Sequence, residues 1–211
     1  DTRKALIGLA KGYRSAMGAR ITAVTGSVDK TTVKEMTADI LGTARRTYRS
    51  RGNWNNDIGL PLSLLAMEAD QEIGVFELGM NHPGELKPLC ELLGPEVGIM
   101  TPIGPVHLEF FESVEAIAQE KATLFRSLPA KGLAILSSEE PWFDLLSRAA
   151  PCRVVTTSLH GRDADYMGEL DPVREGFFSV HEKSTGERVE FESPLPGDHV
   201  ILNALLAIAV G

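Results

Sequence analysis

The chain has 211 residues, of which 43% are hydrophobic, and carries a formal net charge of −8 at pH 7. This composition is sufficient for a hydrophobic core, and the acidic charge argues against general binding to nucleic acid or a membrane surface, which needs basic residues. The only two cysteines, Cys90 and Cys152, are far apart in the sequence and indicate a reducing compartment without a cysteine-based metal site. No apolar run approaches the length of a membrane span, and no signal peptide is recognisable, so we expect a cytoplasmic enzyme or binding domain.

The first predicted element is an amphipathic helix over residues 2–17. Nothing precedes this helix for it to pack on, so we expect a domain boundary just upstream. Its predicted apolar face consists of Ala5, Leu6, Leu9, Ala10 and Tyr13.

Residues 21–41 predict a strand, a glycine-containing turn and a helix in immediate succession. The segment 21–25 is apolar and β-branched, as is typical of a buried strand. The turn 26–31 ends in Lys30 and Thr31, and this order is that of a phosphate-binding loop. In such a loop the N–H groups at the helix start face an anion, the lysine reaches the β- and γ-phosphates, and the Thr hydroxyl binds Mg²⁺. The apolar face of the helix consists of Val33, Met36, Thr37, Ile40 and Leu41.

A simpler interpretation of the same turn remains open. The full G-x-x-x-x-G-K-[ST] pattern needs glycine at positions 24 and 29, where this chain has Val24 and Asp29. An ordinary helix start, with Ser27 or Asp29 as the cap and Lys30 in solvent, explains this stretch equally well by itself.

Residues 52–61, GNWNNDIGLP, predict an irregular loop between a short strand at 47–49 and a helix at 62–67. Three Asn, two Gly and one Pro in ten residues interrupt regular structure. The loop is a candidate polar binding loop beside the phosphate-binding turn. An Asx-rich turn without a ligand is the alternative.

Three further side chains are candidates for chemistry at one edge of the predicted sheet. Glu77 ends the apolar strand 73–79, and His107 follows the strand 97–101. Ligands of open α/β sheets bind outside the carboxyl ends of the strands, so Glu77 is a candidate Mg²⁺ ligand. Lys121 lies near the apolar face of the helix 113–128, where burial would lower its pKa. The alternatives are a salt-bridged glutamate, a structural histidine and a lysine that snorkels to solvent.

The remaining elements predict the fold class. Helices at 84–93 and 142–149 alternate with strands at 133–137 and 154–157, which indicates an α/β fold with a mostly parallel sheet and helices on both faces. Short alternating strands separated by turns predict an antiparallel β appendage over residues 164–194. A turn at 195–199 leads into a last helix at 201–210.

Several of these stretches, in this order, resemble the Mur ligase family. The resemblance extends over essentially all of residues 1–211, but only over that family's central, ATP-binding domain. No counterpart of the family's N-terminal UDP-binding domain or C-terminal Rossmann-like domain is recognisable in these residues. The motifs are TGSVDKTTVKEMTADIL, GNWNNDIGLPLSLL, FELGMNHPGEL, HLEFFES, the helix around Lys121 and LPGDHVILNALLAIAV.

The resemblance implies an ATP-dependent amide ligase of peptidoglycan precursor synthesis, because the NNDIG loop is similar to that of the family member acting on D-alanyl-D-alanine. ATP would phosphorylate the terminal carboxylate of UDP-N-acetylmuramoyl tripeptide to an acyl phosphate. The amine of D-alanyl-D-alanine would then attack, and phosphate would leave. The resemblance also implies a cytoplasmic monomer without nucleic-acid or membrane partners, and we expect the isolated domain not to form the amide bond.

The resemblance further implies roles for individual residues. Lys30 would hold the β- and γ-phosphates, Thr31 and Glu77 would bind one Mg²⁺, and Asn55 and Asn56 would face the substrates. His107 and a carbamylated Lys121 would bind or position a second Mg²⁺, since a neutral amine that captures CO₂ becomes an anionic oxygen donor. The implied nucleotide-binding set is Gly26, Ser27, Val28, Asp29, Lys30, Thr31, Thr32 and, from the last helix, Asn203.

The chain departs from the family pattern at several positions. Asp29 replaces the loop glycine, and a carboxylate about 4 Å from a phosphate charge costs roughly 4 kcal/mol at an effective dielectric constant near 20. Residues 137–139 stand where the family usually has an Asn-led adenine contact, and Val200 stands where it often has Asn. The alternatives are a nucleotide-binding module with turnover impaired by Asp29, or a folylpolyglutamate-synthetase-like ligase, against which the NNDIG loop argues.

Overall fold

The computed structural model describes residues 1–161, 163–193, 195 and 197–211. Pro194, the predicted end of the appendage, and Pro196, within the predicted turn, lie outside the described residues. The helices are α1 Thr2–Ala16, α2 Lys30–Gly42, α3 Gly59–Leu65, α4 Leu86–Leu93, α5 Val114–Lys121, α6 Thr123–Arg126, α7 Phe143–Ala149 and α8 Asp198–Ile208. The strands are β1 Arg20–Thr25, β2 Thr47–Arg49, β3 Ile73–Glu77, β4 Val97–Met100, β5 Leu133–Ser137, β6 Arg153–Ser158, β7 Tyr166–Leu170, β8 Phe177–Glu182 and β9 Arg188–Glu192.

The described strands form one nine-stranded sheet in the order β2-β3-β1-β4-β5-β6-β7-β8-β9. Neighbours from β2 to β7 are parallel, whereas β8 is antiparallel to both β7 and β9. The predicted α/β class is therefore confirmed. After β1 the chain moves to one side of the sheet, and β4 begins the other side. The carboxyl ends of β1 and β4 thus flank the switch point where ligands of such sheets bind.

Side chains of β1 alternate between two hydrophobic clusters, one on each face of the sheet. Ile21 and Ala23 pack with residues of α1, α3, α4 and α5, while Val24 packs with Val33 of α2 and Leu206 of α8. Burial on both faces explains why the sequence of this strand is an almost uninterrupted apolar run.

The antiparallel strands continue the central sheet. Strand β7 pairs in parallel with β6 through the partners Thr157 with Tyr166 and Ser158 with Met167. Phe178 and Val180 of β8 pack with Ile201 and Leu205 of α8 in a third cluster, so α8 covers both parts of the sheet.

Two predicted helix starts were wrong by three residues. Helix α3 begins at Gly59 rather than at residue 62, because the Asn56 side chain accepts the N–H groups of Ile58 and Gly59 at 3.1 and 2.8 Å. Pro61 is tolerated there because first-turn N–H groups have no acceptor within the helix. Helix α8 similarly begins at Asp198 rather than at residue 201.

Two other predictions also need correction. The predicted helix 113–128 has the predicted Ser113 cap, which accepts the Ala116 N–H at 3.1 Å, but it divides into α5 and α6 at Ala122. The predicted apolar face of α1 is wrong for Ala5 and Leu9, since both are exposed and Leu9 is 63% exposed. Helix α1 packs against α3 and α4, and Ala10 is its buried residue.

The helices of the described residues are too short or too polar to span a bilayer.

Candidate functional site

The candidate phosphate-binding loop joins β1 to α2 at the switch point of the sheet. Gly26 lies so close to the end of β4 that a Cβ atom there would be 1.9 Å from Thr101 Oγ1 and 2.7 Å from the Thr101 carbonyl oxygen. Distances this short exclude any side chain, so glycine is required by the approach of the two strands. The Thr101 N–H completes the contact by donating to the Thr25 carbonyl at 2.8 Å.

The segment 101–104 also fixes the loop itself. The N–H groups of Ser27 and Val28 donate to the Pro102 carbonyl at 2.9 and 3.4 Å, and Thr101 Oγ1 donates to the Val28 carbonyl at 2.5 Å. The Ser27 hydroxyl donates to the Gly104 carbonyl at 3.1 Å. These contacts hold residues 27 and 28, in the first half of the loop, against the segment 101–104.

The start of α2 is not capped by either side chain that sequence reasoning offered. Asp29 occupies the cap position in the left-handed region, with φ 60° and ψ 10°, and its side chain makes no capping hydrogen bond. Ser27 is bonded to Gly104 instead. The N–H groups of Lys30, Thr31 and Thr32 have no acceptor within the helix, so they are available to an anion.

Two lysines converge on this loop. Lys30 Nζ donates to the Ser27 carbonyl at 3.2 Å, and Lys121 Nζ donates to the Gly26 carbonyl at 2.5 Å. Lys121 is 2% exposed, and burial, followed by the positive charge of Lys30, lowers the pKa of Lys121 to about 7, against the opposing effect of Glu120. Burial also lowers the pKa of Lys30, while Glu77 and Asp29 raise it. The predicted burial of Lys121 is confirmed, and the snorkelling alternative is wrong.

Glu77 at the end of β3 connects the phosphate-binding loop to the Asn-rich loop, the segment 52–61 that contains the NNDIG motif. Its Oε2 atom accepts the Thr31 hydroxyl at 2.6 Å, and its Oε1 atom accepts the Asn55 amide at 2.7 Å. The side chain is 2% exposed, and no salt bridge involves it among the described residues. A buried carboxylate held by neutral donors, with Lys30 as a nearby positive charge, suits an additional cation.

The two asparagines of the Asn-rich loop have different surroundings. Asn55 lies over Gly79, where a Cβ atom would be 2.6 Å from Asn55 Cγ, and the Gly79 N–H donates to the Asn55 carbonyl at 2.9 Å. Asn56 is exposed, and its side-chain oxygen caps α3. The structure therefore joins Asn55 to Glu77 and uses Asn56 to start the helix.

His107 and Asn203 lie outside this contact network. His107 is half-buried in the loop after β4, at the same sheet edge as Glu77, with φ 56°. No hydrogen bond among the described residues joins its ring to Glu77 or Lys121, and the described part of the chain contains no group of three His, Cys, Asp or Glu side chains able to hold a metal ion. Asn203 is 1% exposed within α8, which packs against α2. The roles of both residues stay predictions.

Sequence reasoning missed a buried lysine beside the site. Lys34 is 0% exposed, and its ammonium group donates to the carbonyls of Ser50 and Gly52 at 2.7 and 3.1 Å and pairs with Glu35 at 2.8 Å. A signal was present, because Lys34 precedes Thr37 by three residues and therefore lies on the same helix face.

Sequence reasoning also missed the contacts of Glu139, which follows β5. Its carboxylate accepts the N–H groups of Leu159 and His160 at 2.6 and 2.7 Å, and the His160 ring bridges it to Asp198 at the start of α8. Hydrogen bonds from His160, Ser158 and Leu159 outweigh desolvation and lower the pKa of Glu139 to about 2. Glu139 thus ties the ends of β5 and β6 to α8.

Comparison with known proteins identifies relatives along the whole chain. The family model described as the Mur ligase middle domain matches residues 24–211. UDP-N-acetylmuramoyl-tripeptide–D-alanyl-D-alanine ligase of Bacillus subtilis is 39% identical over 211 residues, which are 100% of this chain and 45% of that protein. The chain therefore spans about half the length of the curated relatives it matches.

Solved structures also match this chain over its whole length. A crystal structure of MurF from Acinetobacter baumannii superimposes with a TM-score of 0.90 and 31% identity, covering 100% of this chain and 46% of that one. MurF ligase from Thermotoga maritima, solved in complex with ADP, gives a TM-score of 0.87 and 25% identity, covering 100% of this chain and 49% of that one.

The lowered pKa of Lys121 predicts that stability depends on pH. Between pH 7 and about 10, the unfolded chain, with an amine pKa near 10.5, binds a proton that the folded chain has released. The free energy of unfolding should therefore rise with pH in this window, by at most about 1.4 kcal/mol per pH unit from this group. Denaturant titrations at pH 7, 8 and 9 should show this rise in the wild type and a smaller one in Lys121→Met.

The exposed Lys131 provides the control, because Lys131→Met should keep the wild-type slope. If the free energy of unfolding rises equally with pH in the wild type and in Lys121→Met, the lowered pKa of Lys121 is contradicted.

Proposed function

The chain belongs to the Mur ligase family, and on that premise we propose that it is the ATP-binding part of a ligase that joins D-alanyl-D-alanine to UDP-N-acetylmuramoyl tripeptide in peptidoglycan precursor synthesis. The observation that carries this proposal is the contact of Thr31, in the phosphate-binding loop, with Glu77, which in turn holds Asn55 of the NNDIG loop. Through Glu77, the proposed nucleotide site around Thr31 is joined to the NNDIG loop, which is the stretch most typical of this ligase. The relatives that bear this activity in their names support the choice of substrates.

The residues at the loop fit the parts of a bound Mg-ATP. The start of α2 offers N–H groups to the phosphates, and Lys30 offers a positive charge beside them. Thr31 and Glu77 are oxygen donors of the kind that Mg²⁺ prefers, and Mg²⁺ is commonly held by one or two carboxylates together with substrate phosphates. When bound, Mg²⁺ would neutralise phosphate charge in the reaction.

Lys121 is suited to carbamylation. A neutral amine forms an N–C bond with CO₂ and releases a proton, and a pKa of about 7 leaves a large neutral fraction at neutral pH. The resulting carbamate and His107 would hold or position the second Mg²⁺. Asn55 and Asn56 would face the peptide substrates, and Asn203 and residues 26–32 would line the nucleotide. We place this ligase in the cytoplasm, as a monomer.

Asp29 supports a second candidate function, a nucleotide-binding module with impaired turnover. Its carboxylate lies in the phosphate-binding loop, close enough to Lys30 to raise the pKa of that lysine. Repulsion of a phosphate would oppose nucleotide binding by roughly 1 kcal/mol in water-like surroundings and about 4 kcal/mol at an effective dielectric constant of 20.

Removing this charge should strengthen nucleotide binding. We expect Asp29→Gly to bind Mg-ATP about fivefold to a thousandfold more tightly than the wild type, as measured by titration calorimetry. Asp29→Asn is the matched control, because Asn also tolerates the left-handed conformation but carries no charge. Both variants should gain affinity if charge is the cause, and equal affinity of all three proteins would refute the prediction.

The ligase assignment is tested by exchanging this segment into a longer relative. We expect the 211-residue chain alone to hydrolyse ATP slowly and without response to the peptide substrates, because the relatives are about twice as long and such sites are completed by closure. Substituted for the matching segment of the Bacillus subtilis relative, the chain should restore an amide product detectable by mass spectrometry. Lys30→Ala in the same chimera serves as the inactive control.

Two results would count against these expectations. A folded chimera that binds ATP but yields no product would contradict the ligase assignment. Substrate-dependent phosphate release by the isolated chain at about 1 per second or faster would show that the chain alone is the enzyme.

A further inference from the structure

Lys34 is among the largest fully buried side chains of the described residues. Each of its three ammonium hydrogens can be matched with an acceptor, namely the carbonyls of Ser50 and Gly52 and the carboxylate of Glu35. A buried ammonium group is costly unless it is fully paired, and an apolar side chain of similar volume often serves stability as well. The charge at this position therefore points to a role in fixing one particular backbone conformation.

The backbone that Lys34 holds is attached to Glu77. The Ser50 N–H donates to the Val75 carbonyl of β3 at 2.9 Å, and the Ser50 hydroxyl accepts the Glu77 N–H at 3.2 Å. Two residues later the chain turns at Gly52, with φ 44°, towards Asn55, whose amide donates to the Glu77 carboxylate. The segment 50–55 therefore contacts Glu77 at both its backbone and its carboxylate.

We propose that Lys34 is a positioning residue that fixes the segment 50–55, so that Asn55 holds the Glu77 carboxylate beside Thr31. This role depends on the function proposed above, since Glu77 is there a Mg²⁺ ligand and Asn55 a substrate contact. Lys34 touches neither nucleotide nor metal, and it acts through the two carbonyls.

The test separates binding of the nucleotide from the contribution of Mg²⁺. Titration calorimetry on the 211-residue chain gives the ATP affinity with and without Mg²⁺, under conditions where circular dichroism shows folded protein. In Lys34→Met we expect the Mg²⁺-free affinity to stay within about twofold of the wild type, because Lys30 and the start of α2 are unchanged. The gain in affinity on adding Mg²⁺ should fall about tenfold or more, the order of one charge-assisted hydrogen bond.

Two further variants locate the effect. Ser50→Ala keeps the carbonyl that Lys34 binds but removes the acceptor of the Glu77 N–H, and it should reduce the Mg²⁺ gain in the same way. Glu35→Gln keeps both carbonyl contacts of Lys34 and should behave like the wild type. The side-chain amide signals of Asn55 in a ¹⁵N spectrum should move in Lys34→Met and stay in place in Glu35→Gln.

The outcomes distinguish this inference from the proposed function. A wild-type chain that binds no Mg-ATP overturns the proposed function, while the Asn55 amide signals still test the link from Lys34. Equal loss of affinity with and without Mg²⁺ in Lys34→Met, or unmoved Asn55 signals, would overturn the positioning role. If Lys34→Met does not fold, a gain in ATP affinity on adding Mg²⁺ that is as large in Ser50→Ala as in the wild type would overturn the positioning role as well.

Discussion

The candidate site depends on the close approach of two strand ends, β1 at Gly26 and β4 at Thr101. Because no Cβ atom fits between them, the loop after β1 can lie along residues 101–104 and bond to the Pro102 carbonyl. This contact determines where α2 begins and therefore where its free N–H groups point. It also places the Gly26 carbonyl within reach of Lys121, which is 95 residues away in sequence.

Three lysines near the loop show how surroundings divide one residue type into different roles. Lys34 has three acceptors for its three hydrogens, so its charge is compensated inside the protein. Lys121 has one described acceptor, the Gly26 carbonyl, and its burial, followed by the like charge of Lys30, lowers its pKa to about 7. Lys30 is only half-buried and lies beside Glu77 and Asp29. Lys30 and Lys34 lie about one turn apart in α2, and Lys121 lies at the end of α5. Their surroundings fit a structural role for Lys34 and the reactive and phosphate-facing roles proposed above for Lys121 and Lys30.

Much of this arrangement could be predicted from the sequence, because it depends on local patterns. The apolar run of β1, the glycine turn and Glu77 at a strand end place the phosphate-binding loop and the carboxylate at one sheet edge. The contact of Asn55 with Glu77 and Gly79 could not be predicted, since it joins residues more than twenty positions apart through backbone geometry. Lys34 was missed because a lysine on a helix is usually taken to face solvent. The start of α3 was missed because the capping role of Asn56 depends on the fold of the loop.

Asp29 shows that the shape of the loop and its charge are separate properties. The left-handed conformation at this position follows from contacts on either side of it, with Ser27 and Val28 fixed to residues 101–104 and the N–H of Val33 donating to the Asp29 carbonyl at 2.9 Å. Asp is among the residues that accept this conformation, so the fold tolerates it at modest cost. Its carboxylate, in contrast, acts through its charge, on Lys30 and on the anion that the loop would bind. A substitution can therefore leave the sheet, the helix start and the lysine contacts intact while it alters affinity for an anion.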